Sequence, residues 1–275
     1  MIVTLLTDFG TRDGYVGAMK GVILGLCPRV SIHDLTHDIP PGDIRSGAFA
    51  LATALPFFPE GSIHVAVVDP GVGTTRRPLL IEVAGRYLIG PDNGLLASAT
   101  RTMAKSAQEN SGAAPVVRVL DRLEMMRAEV SSTFHGRDIF APAAGRLAAG
   151  AGPERLGTTV DSFKALDEPG CTTADAGSSV SGAVAHIDRF GNLLTSIPRE
   201  LLEPFAERVR VEIADAGLVI SGLSRTYGDV ESGSPAALVS SDGHLEIAVR
   251  DGSASTRYGI EIGTPVRVSG CDQAS

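Results

Sequence analysis

Two carboxylates follow apolar runs in the first half of the chain. Asp8 comes just after Ile2–Leu6, and Asp69 comes directly after Ile63–Val68. Such runs are typical of strands buried on both faces, and ligands of open α/β sheets bind beyond the carboxyl ends of the strands. A carboxylate at that position can accept two hydrogen bonds from a ribose diol. This is one interpretation of Asp8, and a turn or helix cap is the other.

The loop after Asp69 combines glycines with two arginines. Its Pro-Gly-Val-Gly stretch, residues 70–73, allows positive φ angles and a close approach of the backbone to a ligand. The loop has no GK[ST] sequence, so it is not a phosphate loop. Arg76 and Arg77 follow it. One of the two is expected to be a solvated surface charge, and residue chemistry leaves open which one.

Two histidines pose a choice between a structural and a functional role. His135 lies in TFHGRD, before a helix predicted to start near Asp138, and His37 lies beside Asp38 in THDIPPGD. None of these residues shows a standard metal-ligand spacing such as H-E-x-x-H. We therefore expect no metal site, and for both histidines the choice stays open.

Further polar candidates lie in two other segments. Asp13 could hold an ammonium group or cap the helix predicted at Gly14. Asp188 and Asn192 flank a glycine turn in HIDRFGNLLTSIP. An asparagine side chain offers a donor and an acceptor together, as the edge of adenine requires, although a turn asparagine is the alternative.

The elements that must position these residues fall into two domains. Residues 1–155 alternate apolar strands with helical stretches, which predicts an α/β domain with a mostly parallel sheet. Residues 156–181 are rich in Gly, Ser, Thr and Pro and are predicted to form a linker. Residues 182–275 show short strands separated by turns, which predicts a small all-β barrel.

The composition and charge of the chain exclude several classes of binding partner. The net charge of −8 repels polyphosphate backbones, so no nucleic-acid partner is expected. No stretch approaches the roughly 18 to 20 apolar residues that cross a bilayer, and MIVTLLTDFG is expected to be a first strand and not a signal peptide. The scattered Cys27, Cys171 and Cys271 are typical of reduced thiols. We expect a soluble, cytoplasmic protein with no membrane partner.

Six segments, taken in order, carry a family resemblance. They are TDFGTRDGYVGAMKG, HDIPPGDI, VVDPGVGTTRR, GPDNGLL, STFHGRD and IDRFGN. In this order they resemble the S-adenosyl-L-methionine (SAM) hydrolases, or SAM hydroxide adenosyltransferases, which are related to the fluorinases and chlorinases. The resemblance covers residue 2 to about residue 270. It implies a homotrimer of subunits with an α/β domain and a β-barrel, with active sites between neighbouring subunits.

The resemblance also implies roles for nine residues. It implies a catalytic set made of Asp69, Arg76 and His135. It implies substrate contacts of Asp8 with the ribose hydroxyls, Asp13 and Asp188 near the methionine ammonium, Asn192 and Tyr227 on adenine, and Ser241 at the methionine carboxylate. Where the halogenases have a tryptophan near the ribose, this chain has Gly42.

The implied reaction is attack of water on C5′ of SAM, which releases adenosine and L-methionine with no cofactor and no metal. One alternative is a halogenase, which we disfavour because the Asp69 carboxylate would repel a halide and Gly136 stands where a hydroxyl donor would help. The other is a non-catalytic protein that binds SAM or adenosine. A dinucleotide oxidoreductase is excluded because no G-x-G-x-x-G follows the first strand.

Overall fold

The computed structural model describes residues 1–110, 114–174, 178–205 and 208–270. The chain divides into two compact units, Met1–Asp167 and Glu168–Ser275. The segment predicted as a linker, 156–181, contains strand Thr158–Val160, which belongs to the sheet of the first unit. The first unit therefore extends beyond the predicted boundary at residue 155.

The first unit contains the following strands and helices. Its strands are β1 (Ile2–Thr7), β2 (Ser31–Thr36), β3 (Ile63–Val67), β4 (Pro78–Val83), β5 (Arg86–Pro91), β6 (Val116–Val119) and β7 (Thr158–Val160). Its helices are α1 (Tyr15–Leu26), α2 (Ile44–Ala54), α3 (Ala97–Asn110) and α4 (Ala141–Ala148), with a π-helix at Gly136–Phe140. Short 3₁₀ helices lie at Leu55–Phe57, Leu123–Met125 and Pro153–Arg155.

The first sheet is mixed, in the order β2-β1-β3-β5-β4-β6-β7. The pairs β1–β2, β1–β3 and β3–β5 are parallel, whereas β5–β4, β4–β6 and β6–β7 are antiparallel. The prediction of a mostly parallel sheet is therefore correct only for the half made by β2, β1, β3 and β5. The reason is a two-residue hairpin between β4 and β5, in which Ala84 and Gly85 both have positive φ, and so short a connection joins only antiparallel strands.

The central strands are covered on both faces, which explains their continuous apolar runs. Leu5 packs in one core cluster with Met19 of α1, and the neighbouring Leu6 packs in a second cluster with Leu51 of α2. Successive side chains of a strand point to opposite faces, so each run supplies both cores. Polar residues just beyond these strands are thereby presented at a well-supported sheet edge.

The second unit is built from antiparallel strands. They are β8 (Thr172–Thr173), β9 (Ser179–Ile187), β10 (Leu193–Pro198), β11 (Val209–Ile213), β12 (Leu218–Ser221), β13 (Pro235–Val239), β14 (His244–Val249) and β15 (Pro265–Gly270), with α5 at Ala254–Tyr258. Short 3₁₀ helices lie at Arg199–Leu201, Glu203–Phe205, Ala214–Ala216 and Tyr227–Asp229.

These strands form a nearly closed barrel. Their order is β12-β11-β15-β9-β10-β14-β13, with β8 paired to β9. The Ser224 N–H, just after β12, donates to the Ala237 carbonyl of β13 at 2.7 Å and brings the two edges of the sheet together. The interior is apolar, with Val211, Ile247 and Val268 among its buried members. The predicted all-β second domain is confirmed in these general terms.

Two further findings concern the described residues only. No helix within them has the length and apolar character needed to cross a membrane. Cys27 and Cys171 are free thiols. Cys271 lies outside the described residues.

Candidate functional site

Asp69, Arg76 and His135 form one hydrogen-bonded group in the first unit. Arg76 Nε lies 3.0 Å from each oxygen of the Asp69 carboxylate, and Nη2 of Arg76 also donates to Asp69 Oδ2. The same Nη2 lies 2.7 Å from His135 Nδ1. The side chains of Asp69 and Arg76 are only 5% and 8% exposed, so this ion pair is held away from bulk water. The structure thus brings together the three residues of the predicted catalytic set.

The arginine fixes the hydrogen-bonding state of the histidine. A guanidinium has donors only, so His135 Nδ1 must be the acceptor, and the remaining proton of the neutral ring sits on Nε2. Burial lowers the pKa of His135 below its ordinary value of 6.5, and the nearby Arg76 lowers it further, against smaller opposing effects of Asp69 and Asp138. His135 therefore presents a hydrogen-bond donor at Nε2, and Asp69 is the acceptor of the group.

The glycine turn after Asp69 packs directly on the segment that leads to His135. Gly73 has a φ of +77°, and a Cβ atom there would lie 2.3 Å from the carbonyl oxygen of Ser132. Only glycine fits both the backbone conformation and this close approach. The turn and the histidine segment are consequently held in contact through their backbones.

His135 precedes a π-helix that continues into α4. The π-helix spans Gly136–Phe140, and Pro142 follows in the first turn of α4. Proline has no N–H to donate to the carbonyl four residues earlier, and in the structure the Asp138 carbonyl accepts a hydrogen bond from the Arg127 backbone N–H instead. Single π-helical turns within α-helices are frequent at functional sites.

The side chain of Asp138 anchors the loop that leads to His135. It is fully buried, and its oxygens accept from the Ser131 backbone N–H at 2.9 Å and from Arg137 Nε at 2.7 Å. Although burial acts to raise its pKa, the hydrogen bonds from Arg137 and Ser131 hold the pKa of Asp138 below the ordinary value. The charged carboxylate thus links Ser131, which precedes His135, to Arg137, which follows it.

The structure separates the roles of the two neighbouring arginines. Arg77 Nε donates to Asp92 Oδ2 at 2.7 Å, and its Nη2 donates to the Ser162 carbonyl at 2.9 Å. Asp92 also accepts from the Lys164 backbone N–H at 2.6 Å. Arg77 therefore braces a loop of the first unit, whereas Arg76 belongs to the Asp69 group.

Asp8 lies at the same edge of the sheet as Asp69. Thr7 and Val67 are partners in the parallel register of β1 and β3, so the two carboxylates follow adjacent strand ends. Asp8 Oδ2 accepts from the Gly42 backbone N–H at 2.8 Å. Asp13 is exposed and does not cap α1, whose N-cap is Gly14.

In the second unit, Asp188 and Asn192 are joined in the predicted turn. Asp188 Oδ1 accepts from the backbone N–H groups of Phe190 (2.9 Å) and Asn192 (2.8 Å), and Oδ2 accepts from Asn192 Nδ2 at 3.0 Å. Gly191 between them has a φ of +82°, and a Cβ there would lie 2.0 Å from Ser253 Oγ. The turn role that the sequence left open is present, and one amide hydrogen of Asn192 is committed to it.

Tyr227 and Ser241 occupy different settings in the second unit. Tyr227 is 43% exposed, with its hydroxyl donating to Glu246 Oε1 at 2.7 Å. Ser241 is exposed at the turn between β13 and β14. In that turn it is Ser240 whose hydroxyl binds Asp242 and the His244 carbonyl.

Comparison with known proteins assigns the family. The SAM hydroxide adenosyltransferase N-terminal domain matches residues 3–157, and the SAM hydroxide adenosyltransferase C-terminal domain matches residues 182–267. The chain belongs to the SAM hydroxide adenosyltransferase family.

Two relatives and one solved structure match this chain over nearly its whole length. A Salinispora tropica protein named (R)-S-adenosyl-L-methionine hydrolase is 38% identical over 97% of each chain. A Thermus thermophilus protein of the same name is 39% identical, over 97% of this chain and 98% of its own. The crystal structure of an uncharacterized conserved protein from Thermotoga maritima is similar with a TM-score of 0.82 at 33% identity, covering 98% of this chain and 100% of that one.

Sequence reasoning missed one buried residue of this SAM hydroxide adenosyltransferase family member. Glu246 is 5% exposed in β14 and accepts the Tyr227 hydroxyl. Burial raises the pKa of Glu246, and the negative charges of Asp188 and Asp242 raise it further, while Tyr227 lowers it. Burial and the hydrogen bond to Glu246 raise the pKa of Tyr227 to about 12. The signal was a lone glutamate inside the otherwise apolar stretch LEIAV.

His37, one of the two histidines considered as metal ligands, has other partners in the structure. His37 Nδ1 lies 2.8 Å from Thr7 Oγ1, and His37 Nε2 lies 3.0 Å from Asp34 Oδ1. Across the four described ranges, no three His, Cys, Asp or Glu side chains converge as a set of metal ligands.

Proposed function

We propose that this protein hydrolyses SAM to adenosine and L-methionine, with water attacking C5′ of the ribose. The observation that carries the proposal is the Asp69–Arg76–His135 group, which joins one acceptor and one donor through a buried guanidinium. Membership of the SAM hydroxide adenosyltransferase family supports it, as does the hydrolase name of relatives that match nearly the whole chain. SAM is the substrate in this proposal, and no cofactor takes part.

The bonds and electrons of the reaction balance without an acid or a redox partner. The water oxygen forms a bond to C5′ while the C5′–S bond breaks, and the electron pair of that bond returns to the positively charged sulfur. Methionine leaves as a neutral thioether, so its departure needs no protonation. The remaining requirement is an acceptor for one proton of the attacking water.

The three side chains meet that requirement with distinct roles. Asp69 accepts a hydrogen bond, and then the proton, from the water. His135 Nε2–H donates to the water oxygen and so directs a lone pair towards C5′. Arg76 fixes both partners, and its positive charge stabilises the hydroxide-like oxygen. Such positioning contributes several kcal/mol, about the size measured for well-oriented intramolecular reactions.

A buried nitrogen supports the presence of water at this group. Arg76 Nη1 is inaccessible to solvent and has no hydrogen-bond partner within the described part of the chain. A buried unpaired donor carries a desolvation penalty of about 1 to 3 kcal/mol. A bound water beside the guanidinium would satisfy this donor.

Halide transfer is the less favourable reaction at this group. A halide in the position of the water would lie beside the Asp69 carboxylate, which is 5% exposed and poorly screened. We therefore propose water as the nucleophile. In the presence of high chloride, adenosine should remain the product and no 5′-chloro-5′-deoxyadenosine should form.

A product assay tests the proposal. Purified protein is incubated with SAM of each configuration at sulfur, because the names of the relatives specify an R form. We expect equal amounts of adenosine and methionine by chromatography. A protein that binds SAM but leaves both forms intact over a long incubation would instead be a binding protein, and release of a product other than adenosine would exclude attack by water at C5′.

The substrate contacts and the assembly belong to the same proposal. Six residues are proposed to bind SAM in the roles that the family resemblance implies: Asp8, Asp13, Asp188, Asn192, Tyr227 and Ser241. A cytoplasmic homotrimer with active sites between neighbouring subunits is proposed on the same grounds. Light scattering should give three times the 28.5 kDa chain mass, and a monomer that turns over SAM would contradict the shared site.

A further inference from the structure

A chain of polar contacts runs through the first unit to the backbone on either side of Asp8. Lys20 Nζ lies 2.6 Å from Asp34 Oδ2, and the other Asp34 oxygen lies 3.0 Å from His37 Nε2. His37 Nδ1 lies 2.8 Å from Thr7 Oγ1. The Phe9 backbone N–H donates to the same Thr7 oxygen at 3.2 Å. The chain therefore ends on the residues immediately before and after Asp8.

The partners fix which groups of this chain donate and which accept. Asp34 is an ionised acceptor, because its contacts with Lys20 and His37 outweigh its burial and hold its pKa below the ordinary value. His37 Nε2 consequently carries a proton. Thr7 is fully buried, and its hydroxyl hydrogen is paired only if His37 Nδ1 accepts it. Thr7 Oγ1 is then the donor to His37 Nδ1 and the acceptor of the Phe9 backbone N–H.

His37 also holds the far side of the Asp8 loop. Its carbonyl accepts from the Gly10 backbone N–H at 2.9 Å, at a position where Gly10 has a φ of +65°. The Asp8 carboxylate binds the Gly42 N–H, which lies in the same HDIPPGD segment as His37. One short segment therefore contacts residues 7, 8 and 10 through three different groups.

We propose that His37 is a positioning residue that orients the Asp8 carboxylate towards the ribose diol of the substrate. It acts through Thr7 and Gly10 and touches neither the substrate nor a metal. The inference rests on the ribose-binding role of Asp8 within the proposed function. It assigns a role to the HDIPPGD motif, which the catalytic group does not use.

A double-mutant cycle tests the coupling between the two residues. The variants are His37→Leu, Asp8→Ala and the double variant, measured by kcat and KM for SAM. His37→Leu should raise KM about tenfold with a smaller change in kcat, and its effect should fall below about twofold in the Asp8→Ala background. His37→Asn, which keeps an acceptor for the Thr7 hydroxyl, should recover most of the loss. Equal effects in both backgrounds would overturn the proposal.

A binding measurement gives a readout that does not depend on turnover. The wild-type protein should bind adenosine more tightly than 2′,3′-dideoxyadenosine in calorimetry, and His37→Leu should reduce this preference about tenfold. Thr7→Val, which keeps the buried volume but removes the hydroxyl, should reduce it in the same direction. His33→Leu is the matched control, because His33 is exposed and binds only Ser31 Oγ among the described side chains, and it should leave the preference unchanged.

The outcomes separate the two proposals. If SAM survives but the preference for adenosine collapses in His37→Leu, hydrolysis is excluded and the positioning role stands. If SAM is hydrolysed and the preference is unchanged in folded His37→Leu and Thr7→Val, the positioning role is overturned. A wild-type protein without preference for the diol would overturn the role of Asp8, and with it the role of His37.

Discussion

At the scale of single residues, the guanidinium of Arg76 gives Asp69 and His135 different roles. It donates to His135 Nδ1, so the neutral imidazole donates from Nε2, and protonation at Nδ1 would break the hydrogen bond to Arg76. Each Asp69 oxygen keeps lone pairs beyond those that bind Arg76. Asp69 is therefore the proton acceptor in our account, and His135 is the group that orients the water.

Replacing Asp69, the proposed proton acceptor, should strongly reduce turnover and leave the binding of adenosine nearly unchanged. Asp69→Asn should lower kcat by about 10²- to 10⁴-fold, the range attributed to general acid–base catalysis. The affinity for adenosine should change by less than about threefold, because the amide keeps the volume of the side chain. Asp161→Asn, at an exposed site of the same unit, is the control. Near-normal turnover in Asp69→Asn would remove Asp69 from the mechanism.

The pKa of His135 predicts the acid side of the pH profile. Burial and Arg76 lower this pKa below 6.5, so the neutral, active ring persists to lower pH and activity should fall only below that value. Arg76→Gln removes one lowering influence and should raise the pKa of His135. NMR titration of the ring in both proteins checks the sign. A His135 that titrates above 6.5 in the wild type would contradict the assigned hydrogen bond.

The Tyr227–Glu246 pair predicts a late tyrosine titration. The chain has four tyrosines and no tryptophan, so tyrosinate absorbance can be followed directly. A step at about pH 12 should be present in the wild type and absent in Tyr227→Phe. Glu246→Gln should move it to lower pH, because the negative charge that disfavours tyrosinate is gone. An unchanged step in Glu246→Gln, with circular dichroism reporting a folded protein, would refute the pairing.

At the scale of elements, local patterns predicted the helices well. The helix predicted at Gly14 is present as Tyr15–Leu26, and a second helix, Ile44–Ala54, begins where the Ser46 backbone N–H donates to Asp43 Oδ1 at 3.0 Å. Apolar spacing and capping are properties of neighbouring residues, so they are visible in one sequence. The π-helix after His135 was not predicted, because Arg127, the partner of its free carbonyl, lies well before it in the chain and outside any helical spacing.

A methyl group added at Gly73, in the glycine turn of the site, should affect both stability and turnover. Gly73→Ala combines a positive φ with a clash against the Ser132 carbonyl, and should destabilise the fold by about 1 to 3 kcal/mol. Gly61→Ala is the matched control, because Gly61 also has a positive φ but open space around it. Denaturant unfolding compares their stabilities. Only Gly73→Ala should also lower kcat, and equal kcat in the two variants would argue against the proposed coupling of turn and histidine.

At the scale of the whole molecule, the candidate residues divide between the two units. Asp8, Asp69, Arg76 and His135 lie in the first unit, and the residues proposed to bind adenine lie in the second. The order of motifs along the chain was enough to identify the family and the candidate residues. It could not reveal the Tyr227–Glu246 pair, because residues 19 apart share no local periodicity.

The family resemblance alone chose Arg76 over Arg77, and the physical reason for that choice needed the folded chain. Both residues are arginines on the same loop, so composition and spacing leave their chemistry identical. Their partners differ: Arg76 binds Asp69 and His135, and Arg77 binds Asp92 and the Ser162 carbonyl. These contacts join residues up to 85 positions apart, which no local pattern encodes.

Turnover in ¹⁸O-labelled water shows whether the 5′ oxygen of adenosine comes from water. We expect adenosine with one ¹⁸O at the 5′ hydroxyl and methionine without label, because the water oxygen bonds to C5′ and the C5′–S bond breaks. Mass spectrometry of both products, with Asp69→Asn as the inactive control, gives the answer. Label in methionine, or adenosine formed without ¹⁸O, would contradict attack by water at C5′.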